Sequence, residues 1–182
     1  MKTESTVMYI LRLALTLLVI TGVVAAALAG VNSITAPKIA QLTYEKTQQA
    51  IEAVLPGGGD EITDYPATAL VSKVYKGENG YAVEVTPGGF DNTITMMVGV
   101  DNEGNVLGID IISHTETAGL GAVADAATAA GEAFRAQFTG KTGSVSVSKD
   151  GGEIDALTGA TITSRAVCAG VNAALDCVAA MG

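Results

Sequence analysis

The sequence has no tryptophan, only three phenylalanines, two cysteines and a single histidine, His114, in 182 residues. With so few thiols and imidazoles and no CxxC pair, iron–sulfur, zinc and haem sites lack ligands. Cys168 and Cys177 stand nine residues apart, which on a shared helix turns them to opposite faces. They cannot bridge each other, and both read as small buried hydrophobes. Positive charge is scarce as well. Beyond residue 31 there are 18 acidic and 8 basic side chains, a net of −10. With no Lys/Arg cluster to neutralise phosphates, nucleic acid is excluded as a partner.

What is present in quantity is apolar. Leu13 to Val31, "LALTLLVITGVVAAALAGV", is a run of 19 residues without a charge. As a helix it measures roughly 28 Å, close to the ~30 Å hydrocarbon thickness of a bilayer. A cleaved secretory peptide is the rival reading, with Lys2 and Arg12 as its basic region and Ala27-Leu28-Ala29 as its cleavage site. The run exceeds the roughly 7–15 apolar residues of such a peptide, so a retained transmembrane helix is expected. Lys2 and Arg12 face Lys38 and Lys46 across the span, and the short basic tail orients the chain with the tail inside.

The chain then divides into a cytoplasmic tail at 1–12, a transmembrane helix at 13–31, a membrane-proximal helix at 32–55 and a domain at 56–182. Thr35-Ala-Pro37 offers an N-cap and an early proline for the second helix, with Ile39, Leu42, Ala50, Ala53 and Val54 on one face and an end at Leu55-Pro56. Strands are predicted at Ala69–Tyr75, Tyr81–Thr86, Thr93–Asp101 and Val106–Ser113, the last two joined by the turn "DNEGN". Residues 121–138 read as one helix or two short ones. Ser144–Ser148 and Glu153–Leu157 read as further short strands. Val167, Val171, Ala174, Leu175 and Val178 share one face of a closing helix, capped by Thr163 or Ser164. The class is α+β, with antiparallel strands and a C-terminal helix.

"GLGAVA", Gly119 to Ala124, matches the dinucleotide fingerprint, but it follows no strand directly and no acidic residue stands about 20 positions on at a strand end. His114 and Glu116 form at most an isolated acid/base pair, and a Ser-His-Asp hydrolase lacks its nucleophile elbow. The stretch Asp155 to Ser164, "DALTGATITS", reads first as a cap for the last helix. It is also suited to an anion: Thr158, Thr161, Thr163 and Ser164 supply hydroxyls, Gly159 permits close approach, and a helix start follows. A threonine hydroxyl needs activation to act as a nucleophile, and Asp155 is the one base in sequence reach.

That stretch resembles the D-x-x-[ST]-G-A-T flavinylation motif of the FMN-binding domains in two related membrane complexes. They are the G subunit of Rnf-type ferredoxin:NAD oxidoreductases and the C subunit of sodium-pumping NADH:quinone oxidoreductases. Gly88–Gly121 resembles the family's second block, with Ala118 where E-T-P-G-L-G has proline; Phe134–Lys141 is also similar. The resemblance covers the anchor and most of 88–178, and the short chain is more similar to the Rnf G subunit.

The resemblance implies FMN joined by a phosphoester to Thr161, installed from FAD by a separate flavin transferase, with Asp155, Thr158, Gly159 and Ala160 as the recognition frame. It further implies cofactor contacts from Glu116, Thr117, Gly119, Leu120, Gly121, Thr163 and Ser164; with no tryptophan and three phenylalanines in the chain, aliphatic contacts such as Leu120 are expected around the ring. Such a subunit relays electrons between neighbouring redox centres without independent catalysis. Its partners are membrane lipid and the other subunits of the complex. The expected location is the cell (inner) membrane, single-pass, with the domain on the extracytoplasmic side. The alternatives are the quinone-linked C subunit and an anchored flavoprotein of another electron-transfer chain.

Overall fold

A computed structural model describes residues 6–66 and 68–181. Of the expected tail, residues 1–5, with Lys2, lie outside the described residues. The chain forms two compact units, residues 1–44 and 45–182.

The first unit is helical. Helix α1 runs without interruption from Thr6 to Val54, with Pro37 inside it. The expected helix start at Thr35 is therefore corrected. The Thr35 hydroxyl donates to the Val31 carbonyl at 2.9 Å, back along the helix, instead of accepting from the N–H groups ahead. Thr16 and Thr21 do the same toward Arg12 and Leu17. Hydroxyls satisfied in this way add no polar demand to an otherwise apolar surface. Side chains from Leu13 to Val31 are exposed all round the helix, which is long and apolar enough to cross a membrane.

The second unit is built on a five-stranded antiparallel sheet in sequential order, comprising β1 (Asp60–Ile62), β2 (Val71–Lys76), β3 (Gly80–Val85), β4 (Thr95–Asp101) and β5 (Val106–Ser113). Four of these match the sequence expectation within two residues. The edge strand β1 is an addition to it. In the β4–β5 hairpin, the Asp101 carboxylate accepts from the backbone N–H groups of Glu103 (2.9 Å) and Asn105 (2.8 Å), and Gly104 takes φ +84°.

Both faces of the sheet are covered, which is why β4 is buried along almost its whole length. Side chains alternate: Val74, Val83, Met96, Val98 and Val100 join the larger core with α3 (Thr161–Met181), while Tyr75, Ala82, Met97 and Ile112 pack with Ala50, Ile51, Val54 and Leu55. The expected face of residues 39–54 shifts accordingly, because Ile39, Leu42 and Ala53 are exposed and Ile51 is buried. Gly99 admits the end of α1 on one side, since a Cβ there would lie 2.2 Å from the Val54 carbonyl oxygen. On the other side Gly170 lets α3 approach, with Met96, Pro87 and Val85 each 3.1 Å from a hypothetical Cβ.

Residues 121–138 resolve into a 3-10 turn, Gly121–Ala124, and helix α2, Ala129–Ala136, whose cap Thr128 accepts from Gly131 N–H. The expected strands at 144–148 and 153–157 are corrected to a single parallel bridge, Val147 to Ile154, around the 3-10 turn Ser148–Asp150. The closing helix buries Val167, Val171, Ala174, Leu175 and Val178 as expected. Cys168 and Cys177 are both free and buried in that helix, and burial pushes the Cys168 thiol up to about 11.

Candidate functional site

The start of α3 forms one wall of a cleft of about 260 Å³. Opposite it lie the loop after β3, the segment after β5, and the turn Ser148–Asp150. Helix α3 begins at Thr161, two residues before the earliest expected cap, and Ala160 before it has no side-chain acceptor to offer the first-turn N–H groups. Thr163 and Ser164 do not cap the helix. Both are inside its first turn, 1 % and 0 % exposed, and committed to other partners. Ser164 Oγ donates to the Ala160 carbonyl and accepts from Leu157 N–H, both at 3.0 Å, fastening the motif loop to the helix. Thr163 Oγ1 donates to Glu116 Oε2.

Glu116 is itself buried. Its other oxygen accepts from the N–H groups of Phe90 (2.8 Å) and Asp91 (3.3 Å), so one carboxylate ties the 88–93 loop to α3. Space around it is tight. A Cβ on Gly121 would fall 2.5 Å from both Glu116 Oε2 and Thr163 Oγ1, and one on Gly89 would fall 2.2 Å from Glu116 Oε1. Two residues before Glu116, His114 Nδ1 accepts from Glu116 N–H at 3.2 Å, while its Nε2 stands 3.7 Å from Asp125. This histidine is thus occupied with shaping the segment. Although Ala118 stands where the resembled motif has proline, the Thr117 carbonyl closes the turn by accepting from Leu120 and Ala122 N–H groups.

The motif residues do not all meet. Glu116, Thr117, Leu120, Gly121, Gly159, Ala160, Thr161 and Thr163 line the cleft. Gly119, Asp155 and Thr158 line a neighbouring groove of about 580 Å³ against α2, and Leu120 borders both. Asp155 is exposed, and its backbone is held by Gln137 through bonds of 2.7 and 3.2 Å. It therefore does not share the Thr161 cleft. Ser164 lies behind both cavities, lining neither.

Three cleft residues were missed from the sequence. Phe90 (64 % exposed) and Ile162 (49 %) join Leu120 (43 %) to give the rim an apolar character. Phe90 is the one aromatic side chain among the lining residues, beside the aliphatic Leu120 and Ile162. The third is Lys149, whose ammonium donates to Thr161 Oγ1 at 3.0 Å. A lone base close to a hydroxyl-rich motif in an acidic domain was the available signal for Lys149. An apolar residue inside the motif was the signal for Ile162.

A hydroxyl under an ammonium, a helix start without a capping side chain and an apolar rim together suit a ligand that has a phosphate and a flat, largely apolar ring. Comparison with known proteins agrees. Residues 89–176 match the FMN-binding domain family, a span that contains every cleft residue. The G subunit of the Na(+)-translocating ferredoxin:NAD(+) oxidoreductase complex of Acetobacterium woodii is 33 % identical, covering 92 % of this chain and 90 % of the relative. The G subunit of the ion-translocating oxidoreductase complex of Methanosarcina acetivorans is 30 % identical over 94 % of this chain and 95 % of its own. Its counterpart in the proton-translocating ferredoxin:NAD(+) oxidoreductase complex of Clostridium ljungdahlii is 34 % identical over 82 % and 80 %. The chain therefore belongs to the G-subunit family of the Rnf-type ion-translocating oxidoreductase complexes.

Proposed function

We propose that this chain is the electron-carrying subunit of a membrane-bound ion-translocating ferredoxin:NAD oxidoreductase complex, with FMN joined through its phosphate to Thr161. The observation that carries the attachment is the sorting of the four motif hydroxyls. Thr163 and Ser164 are buried and engaged, and Thr158 lines the other groove. Thr161 lines the cleft, with a cation on its oxygen.

Bound there, FMN supplies one-electron redox chemistry between neighbouring centres. The chain's own part is to hold and shield it. Thr161 and the first N–H groups of α3 hold the phosphate, while Phe90, Leu120 and Ile162 offer apolar surface to the ring. Glu116 keeps the loop carrying Phe90 fastened to the helix carrying Thr161. For attachment, Thr161 Oγ1 bonds to the flavin-side phosphorus of FAD as the pyrophosphate P–O bond breaks. AMP leaves with the bridging oxygen, the hydroxyl proton passes to a base of the flavin transferase, and no electron is exchanged. Asp155 and Thr158, in the adjoining groove, serve that transferase as recognition residues. Leu13–Val31 spans the cell (inner) membrane among lipid and partner subunits, with the folded unit on the extracytoplasmic side. The G-subunit names of the relatives favour this reading over a quinone-linked C subunit.

The test is direct. Protein matured with flavin transferase and denatured in detergent should give a fluorescent gel band, and Thr161→Ser should keep it. Thr161→Ala should be dark. A band of undiminished brightness in Thr161→Ala would remove the attachment site from this account.

A further inference from the structure

We infer that Lys149 is the counter-ion of the phosphate carried at Thr161, and that the Asp150–Arg165 pair aims it. The inference rests on the Thr161 reading and extends it to a residue outside the motif. The Lys149 ammonium reaches the Thr161 oxygen at 3.0 Å from the turn Ser148–Asp150. That turn is pinned at both ends. Ser148 N–H donates to the Ile154 carbonyl at 2.8 Å and Gly152 N–H to that of Val147 at 3.1 Å. Arg165 then grips Asp150 bidentately, with Nε and a terminal nitrogen each 2.6 Å from a carboxylate oxygen. Arg165 stands four residues after Thr161, one turn along α3, so the helix that presents the hydroxyl also fixes the turn that presents the ammonium.

The charge pattern indicates that this lysine serves an anion. Lys73, Lys141 and Arg165 each rest on a carboxylate, while Lys76 lies over the Tyr81 ring and Arg135 donates to the Ala124 and Ala126 carbonyls, away from the cleft. Among the described residues Lys149 has no carboxylate within ion-pair distance and rests on a hydroxyl instead. Of the described cations without a carboxylate partner, Lys149 is the one that lines the cleft, and its ammonium on the Thr161 hydroxyl is placed for a negative charge that arrives later. A phosphodiester on Thr161 brings that charge to the same spot. Exposed pairs such as Arg165–Asp150 add little to stability, which leaves geometry as the contribution of this one.

The experiment uses the full-length protein in detergent with purified flavin transferase and FAD, following the adduct by intact mass. Lys149→Met should form adduct about tenfold more slowly than wild type, the loss expected for one exposed charge-assisted hydrogen bond. Lys149→Arg should stay within about threefold, since the charge is kept, and Asp150→Asn should fall between. Before flavinylation, Lys149→Met should melt within about 2 °C of wild type, as befits an exposed contact. A second readout excludes a role confined to the transferase encounter: after exhaustive loading, the phosphorus resonance of Lys149→Met should be displaced from that of wild type. Wild-type rates in Lys149→Met, an equal loss in Lys149→Arg, or an unmoved phosphorus signal each overturns the inference while leaving Thr161 intact. Wild-type protein that acquires no adduct overturns the Thr161 reading and this inference together.

Discussion

Glu116 should be the keystone of the cleft, and replacing it tests whether the site's geometry is built by one buried carboxylate. In Glu116→Ala, the Thr163 hydroxyl loses its acceptor at a position 1 % exposed, and the Phe90 and Asp91 N–H groups lose theirs at the cleft edge. The hydroxyl dominates the cost, because Phe90 and Asp91 are exposed whereas Thr163 is buried. An unsatisfied buried donor and a lost charge-assisted bond together give about 3 kcal/mol. For a unit the size of residues 45–182 that amounts to roughly 10 °C in melting temperature. Glu116→Gln keeps an oxygen for the loop and offers an amide to Thr163 Oγ1, so it should lose only about 1 kcal/mol. Scanning calorimetry of the full chain in detergent measures both. The double variant Glu116→Ala/Thr163→Val should cost less than the sum of its parts, because each change removes the other's stranded partner. Strict additivity, or a Glu116→Ala protein melting within about 2 °C of wild type, would refute the tie between loop and helix.

Two further outcomes follow from features away from the cleft. Burial pushes the Asp101 carboxyl up, but the hydrogen bonds it accepts from Asn105, Glu103 and Gly104 outweigh that and hold it below the ordinary 3.8. A depressed carboxylate stabilises the fold above its unfolded value and loses that contribution as pH falls through its folded one. Asp101→Asn should therefore melt below wild type at pH 7, with the gap narrowing below pH 3.8; an equal gap at pH 7 and pH 3 would contradict this. For topology, protease added to cells stripped of any outer barrier should digest residues 45–182 and spare the span, and complete protection would reverse the proposed orientation.

The parts of the fold written in local periodicity were readable. The apolar stripe of α3 and the β4–β5 hairpin, with asparagine and glycine in its turn, announce themselves because neighbours in sequence decide them. What escaped is decided elsewhere in the molecule. Strand β1, Asp-Glu-Ile, has little strand character of its own and is ordered by pairing with Val74, Tyr75 and Lys76. Thr35 had the right residue type for a cap, but its hydroxyl bonds backward and the helix passes through. In the site, the motif pointed to Thr161, whereas Lys149 and Phe90 come from loops brought there by the sheet and by the Arg165–Asp150 pair. No local pattern encodes that proximity.

The same reasoning explains why ten consecutive residues serve two cavities. Between Thr158 and Thr161 the backbone passes through Gly159 at φ +75°, a conformation that side-chain-bearing residues rarely adopt. Thr158 is left in the groove with Asp155 while Thr161 enters the cleft. A Cβ at 159 would also stand 2.9 Å from Leu120 Cδ2, the side chain that borders both cavities. The conformation demands glycine, and the contact adds that a side chain there would push the exposed Leu120 aside. Any larger residue there must either move Leu120 off the rim or straighten the turn that brings the hydroxyl beneath Lys149.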